Sequence, residues 1–433
     1  MIRREFVGAV AGYAGAAKAS FHGHAARPIS PATWRDAFPA LSQRVNGYPL
    51  AYLDTAATAL RPQTVIDAVA GFYGTINANP GAGLHTLARR AHGALEEARA
   101  TVASFIGTPD PLEVIFTRGT TEGLNLVAST WGLANLRPGD EILVGMAEHA
   151  SNLLPWRYLA RRVGAGLVHF GVDDEGHPRL DELVAKLSGR TRIVTFSQVS
   201  NVLGMINPAR EMCAAVRAPG RIVVIDGAQS VPHFPVNVAD LGCDFLAFSG
   251  HKMCGPMGIG VLWGRRELLE AMPPYQSGSN MAHDVDLAEE HLAQGALKFS
   301  AGSPNVAGPV GLAAAIEFLR HIGPAALRVH EVMINRRMID RLAAIPQVRI
   351  LGSPDPVGRV GVFSFIVRGK TPLELVSALD AEGIAIRGGD LASGPLLARF
   401  GTSAAARASC YLYTTEDEVD RFANALERTI ASQ

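Results

Sequence analysis

The chain is 433 residues long, and 48% of it is apolar against 18% charged, a balance that supports a buried core in two or three compact units and excludes an intrinsically disordered chain. Forty Lys and Arg offset forty Asp and Glu, and with no basic block in the sequence nothing electrostatic points to a nucleic-acid or anionic-membrane partner. Four cysteines, at positions 213, 243, 254 and 410, are too few and too scattered for a disulfide framework or a zinc ribbon, and no run reaches the roughly 18 apolar residues of a membrane span.

The first element in chain order is a leader. Met1-Ile2-Arg3-Arg4-Glu5-Phe6-Val7 followed by small and apolar residues from Gly8 to Ala17 has the paired arginines, spacer, phenylalanine and weakly hydrophobic stretch of a twin-arginine export signal. It predicts a leader over 1–28 and delivery to the periplasm or beyond; an N-terminal arm on a cytoplasmic protein is the alternative. Residues 29–50 are a short segment expected to pack with the C-terminal part. Short apolar runs then alternate with helical patterns: Glu113 to Phe116, Glu141 to Val144, Ile193 to Phe196, Ile222 to Ile225, Phe245 to Phe248 and Ile259 to Leu262. This is the sequence form of a mostly parallel α/β sheet. A long helix is expected over Val306 to Leu319, strands near Val362 to Val367 and Ile384 to Ile386, and a closing amphipathic helix from Glu416 to Ile430. The division is therefore a large α/β domain over 51–305 and a smaller α+β domain over 306–433.

In open α/β sheets ligands bind beyond the carboxyl ends of the strands. Phe116 leads into Arg118-Gly119-Thr120-Thr121-Glu122-Gly123 and a helix, Val144 into Glu148-His149, Phe196 into Ser200-Asn201, Ile225 into Asp226 with Gln229 close behind, and Phe248 into Ser249-Gly250-His251-Lys252. Each residue alone has an ordinary structural reading: Gly119, Thr120 and Thr121 as a helix N-cap, Asp226 and Asn201 as turn formers, His149 as a core histidine, Lys252 as a solvated side chain. Together they supply an amine for an aldehyde, a carboxylate for a ring nitrogen, a flat ring to stack and donors for a phosphate, which is what pyridoxal phosphate requires. Lys252 is then the amine, Asp226 the ring-nitrogen partner and His149 the stacking ring. Thr120, Ser249 and His251 grip the phosphate, and Asn201 and Gln229 bond the ring hydroxyl.

These motifs, with Tyr52-Leu53-Asp54-Thr55-Ala56-Ala57, Val199-Ser200-Asn201-Val202-Leu203-Gly204 and Lys298-Phe299-Ser300-Ala301-Gly302-Ser303-Pro304-Asn305, resemble the class V aminotransferase family, and within it the group II cysteine desulfurases and selenocysteine lyases. The resemblance covers nearly everything after the leader. It implies a fold type I pyridoxal-phosphate enzyme with a mostly parallel, seven-stranded type of sheet, working as a homodimer on a small amino-acid-like substrate. It further implies that Ser303 reaches the neighbouring subunit's phosphate, that Arg407 holds a substrate carboxylate and that Arg387 lies near it.

Two departures from the family stand out. In the desulfurases the loop after Arg387 carries the cysteine that takes sulfur from the substrate, and here it reads Arg387-Gly388-Gly389-Asp390-Leu391-Ala392-Ser393-Gly394 with Ala392 at that position. An alanine is no nucleophile. Small residues in Asn79-Pro80-Gly81-Ala82-Gly83 replace a His-Arg segment. Cys254 reads as a packing residue and Cys410 as part of a core strand. The leading expectation is a lyase or aminotransferase acting at Cα or Cβ without persulfide transfer. The alternatives are a desulfurase, selenocysteine lyase or C-S lyase that releases sulfur without the usual cysteine, and a non-catalytic relative that binds the cofactor.

Overall fold

The computed structural model describes residues 31–432 apart from 82 and 287, so the leader expected over 1–28 lies outside the described residues. Seven strands form the large sheet: β1 (Val114–Thr117), β2 (Glu141–Gly145), β3 (Gly166–Phe170), β4 (Thr191–Ser197), β5 (Ile222–Asp226), β6 (Phe245–Ser249) and β7 (Gly260–Gly264). Their order is β1-β7-β6-β5-β4-β2-β3, and only β7 runs antiparallel to its neighbours. Six of the seven are the apolar runs read from the sequence. The seventh, Gly166-Leu167-Val168-His169-Phe170, lies at the sheet edge and is mostly half-buried, so His169 breaks the apolar run that marks the central strands. The central strands β5, β6 and β7 are buried at every position.

The antiparallel β7 brings β1 and β6 together at the ends that matter. A Cβ at Gly260 would stand 2.5 Å from the Gly119 Cα and 2.6 Å from the Phe248 carbonyl. Only glycine permits that approach, and it sets the loop after β1 against the end of β6.

A second sheet of four antiparallel strands, β8 (Val348–Ile350), β9 (Val362–Val367), β10 (Arg387–Gly389) and β11 (Ala405–Ser409), has the order β8-β9-β11-β10. Phe363 and Phe365 on β9 are fully buried and pack with Met338, Leu342, Phe422 and Leu426 from two covering helices, each large side chain contributing about 1.5–3 kcal/mol. The closing helix Glu416–Ala431 starts in a capping box: the Thr415 hydroxyl accepts from the Glu418 amide, and the Glu418 carboxylate accepts from the Thr415 amide. Cys410 is buried in the core of this sheet, as read from the sequence, but it stands one residue beyond β11, which ends at Ser409.

Two short links tie residues 51–54 to the C-terminal part of the chain. Ala51-Tyr52 pairs in parallel with Ile384-Ala385, and Asp54 bridges to Ser409. Trp34 and Phe38, both buried, meet His330 and Phe318 edge-on. Among the described residues no single helix is long and apolar enough to cross a membrane.

Candidate active site

A cavity of about 470 Å³ opens beyond the carboxyl ends of the large sheet and is closed from the other side by the segment around β10 and by Arg407. Thr120, Thr121, His149, Asn201, Asp226, Gln229, Ser249, His251, Lys252, Arg387 and Arg407 all line it. Of the residues given a cofactor or substrate role from the sequence, Gly119 and Ser303 do not.

The β1 and β6 ends build the polar floor. Thr120 donates its amide to the Ser249 hydroxyl at 2.8 Å, and the two hydroxyls are 2.7 Å apart. Gly119 acts by lacking a side chain, since a Cβ there would crowd the Ser249 hydroxyl at 3.2 Å. The amides at the start of helix Thr120–Val127 and these hydroxyls form a donor set suited to a phosphate.

His149 follows β2. Its Nδ1 accepts from the Ser151 amide at 3.1 Å, which leaves the ring proton on Nε2. Burial, then the Lys252 and Arg407 charges, lower its pKa to about 4, so the ring is neutral at ordinary pH. His251 is likewise lowered to about 4, by burial, Lys252 and Arg61. Ser151 also meets the Thr121 hydroxyl at 2.8 Å.

Asp226 ends β5 and is buried. One oxygen accepts from the Ala228 amide at 2.9 Å, and no described group bonds the other. Burial raises its pKa, against the pull of the Ala228 amide and Lys252. Lys252 is half-buried with no hydrogen-bond partner among the described residues, and its pKa falls to about 8 through desolvation and the Arg407 charge, partly offset by Asp226. An unpaired amine and a buried carboxylate with a free oxygen in one cavity are groups that an aldehyde and a ring nitrogen satisfy. The residues present therefore fit pyridoxal phosphate.

Gln229 donates to the Ala56 carbonyl at 2.8 Å. Asn201, expected at a ring hydroxyl, lines the cavity and is also tied to the wall opposite: it donates to the Leu391 carbonyl at 3.0 Å and accepts from the Ser393 hydroxyl at 3.1 Å. That wall is the loop after β10. Leu391 and Ala392 have φ of 50° and 52°, a left-handed conformation rare for residues with a side chain. Leu391 anchors it by burying itself among Val202, Leu203, Met205 and Leu397. Ala392 lines the cavity, no cysteine does, and all four cysteines are buried.

The two arginines meet over a residue whose part the sequence did not reveal. Arg387 donates Nε and Nη2 to the two oxygens of Asp54 at 3.1 and 2.8 Å. Arg407 is buried, donates Nη1 to the Asn201 carbonyl at 2.9 Å and lies 3.6 Å from Asp54 through Nη2. Its Nε has no partner, and burial lowers its pKa to about 10. The signal for Asp54 was the Tyr52-Leu53-Asp54 motif, which named the residue but not its partners. Ser303 lies apart, accepting from the Asn79 side chain at 2.8 Å on an exposed surface.

Comparison with known proteins agrees with this geometry. The Aminotransferase class-V family matches residues 51–422. A cysteine desulfurase of Dickeya dadantii is 44% identical over 392 residues, 90% of this chain and 94% of the relative. The solved cysteine desulfurase CsdA of Escherichia coli is 37% identical with a TM-score of 0.86, covering 94% of this chain and 99% of its own. The apo cysteine desulfurase of Thermococcus onnurineus NA1 is 35% identical with a TM-score of 0.89, covering 94% and 100%. A match over most of the chain, the fold type I architecture and a cavity fitted to the cofactor lead to one conclusion: this chain belongs to the class V aminotransferase family and is a pyridoxal-phosphate-dependent enzyme.

Proposed function

We propose that the enzyme acts at Cα or Cβ of an amino acid or amino-acid-like group, as a lyase or aminotransferase, without forming a persulfide on its own chain. The observation that carries this reading is the cavity wall: Ala392 stands there, and none of the four cysteines lines the cavity. Burial also pushes every one of those thiols above its ordinary range, away from the thiolate that attacks sulfur.

Bound pyridoxal phosphate supplies an electron sink for bond breaking at Cα. The chain supplies the rest. Lys252 Nζ, its pKa lowered to about 8, holds and returns the Cα proton. The free Asp226 oxygen keeps a proton on the ring nitrogen, the neutral His149 ring offers an uncharged face, and Arg407 binds the substrate carboxylate.

Release of sulfur from cysteine through an external thiol is the second reading. It is favoured by the desulfurase names of relatives such as that of Dickeya dadantii. A homodimer is part of the proposal, supported by the position of Ser303 outside its own cavity. So is export by the leader, tested by fractionation and N-terminal sequencing.

The test is an absorbance screen of the holoenzyme against amino compounds, with Lys252→Ala as control. Amino compounds that change the wild-type cofactor band and are turned over, with turnover lost in Lys252→Ala, support the reading. A wild type silent to all of them overturns it.

A further inference from the structure

β10 and β11 run antiparallel, and their register sets Arg387 directly opposite Arg407. Like charges in directly opposed positions destabilise a strand pair, and here one of them is buried. Asp54 reaches this pair from a different part of the chain, because its bridge to Ser409 delivers it to the same edge. It takes Arg387 in a two-point fork and stands beside Arg407 at 3.6 Å.

We propose that Asp54 is a positioning residue for substrate recognition, clamping Arg387 so that Arg407 alone receives the substrate carboxylate. Two cations and one anion leave a single positive charge, which one carboxylate neutralises. Both ends of the Arg387 fork are spent on Asp54, whereas Arg407 has a fixed Nη1 and an unpartnered Nε, so the unsatisfied guanidinium is the buried one. A guanidinium held at one corner and short of acceptors is prepared for a bidentate anion. The clamp thereby sets both where the α-carboxylate sits and how many carboxylates the site takes. This rests on the reading that Arg407 binds the substrate.

The test uses the holoenzyme with L-alanine and L-cysteine as probes, following the cofactor band for Kd and product formation for KM and kcat. Asp54→Asn is expected to raise Kd and KM about tenfold or more, with kcat within a few-fold and with unchanged cofactor content. Asp54→Glu recovers part of the loss. Wild-type Kd and KM in Asp54→Asn, or a fall in kcat with KM unchanged, overturns the clamp. A wild-type Kd in Arg407→Lys overturns the underlying reading instead. Thermal melting decides the clamp independently of any substrate: Asp54→Asn lowers Tm, and adding Arg387→Gln restores part of it by removing the opposed charge. Additive Tm losses in the double variant contradict the proposal.

Discussion

The amide of Ala150, the residue after His149, donates to the carbonyl of Ala392 at 2.7 Å. This bond ties the backbone beside His149 to the loop on the opposite side of the cavity. The Asn201 side chain adds a second fastening, through the Leu391 carbonyl and the Ser393 hydroxyl, and within the loop the Asp390 carboxylate accepts from the Ala392 amide at 3.1 Å. Such a loop is a fixed wall.

The left-handed backbone at Ala392 gives the first prediction. With φ at 52°, a Cβ is disfavoured, and Ala392→Gly is expected to stabilise the fold by about 0.5–1 kcal/mol. Ala392→Val, with a branched side chain in the same conformation, is expected to destabilise it. Urea titration of both variants measures the difference.

Lys252 gives a pH prediction. Only the neutral amine attacks an aldehyde, and its pKa lies at about 8. Uptake of pyridoxal phosphate by the apoprotein should therefore quicken with rising pH, about tenfold per unit well below that value, and level off above it. Stopped-flow absorbance follows the rate, and Lys252→Ala should lose the slow-dialysing, covalently held fraction.

Glu148 gives a stability prediction. Burial raises its pKa to about 8 despite donors from Asn152 and Ser197, so between an unfolded value of roughly 4.5 and 8 the folded state keeps a proton that the unfolded state has released. Stability therefore falls as pH rises through that window and does not recover above it. Glu148→Gln removes the titration. It should flatten the profile and exceed the wild type by roughly 1–3 kcal/mol at pH 9, as read from urea unfolding across pH.

Arg407→Lys tests the fork directly. A lysine keeps the charge and loses the two-point geometry, so the KM for an amino-acid substrate should rise about 10- to 100-fold, the worth of a charge-assisted bond, while cofactor content stays constant.

Much of this was legible in the sequence because strand ends and ligand chemistry are both local. Asp226, Ser249 and Lys252 are each read from a run and the residues just after it, and the structure lines all three along one cavity. What escaped was relational. The edge strand β3 carries His169 and is mostly half-buried, so its apolar signal is diluted. Asp54 acts through arginines 333 residues away or more, a separation at which no spacing rule operates. Asn201 was recognisable as a site residue, yet its two bonds to the 391–393 loop depend on backbone angles that sequence patterns do not reveal.

The central claim is that this cofactor site works without a persulfide on its own chain. Holoenzyme incubated with L-cysteine, with intact-protein mass measured alongside alanine, pyruvate and sulfide, tests it most directly. The account predicts no added sulfur on the protein and no stoichiometric release of alanine. A protein gaining one sulfur atom while alanine accumulates would contradict it.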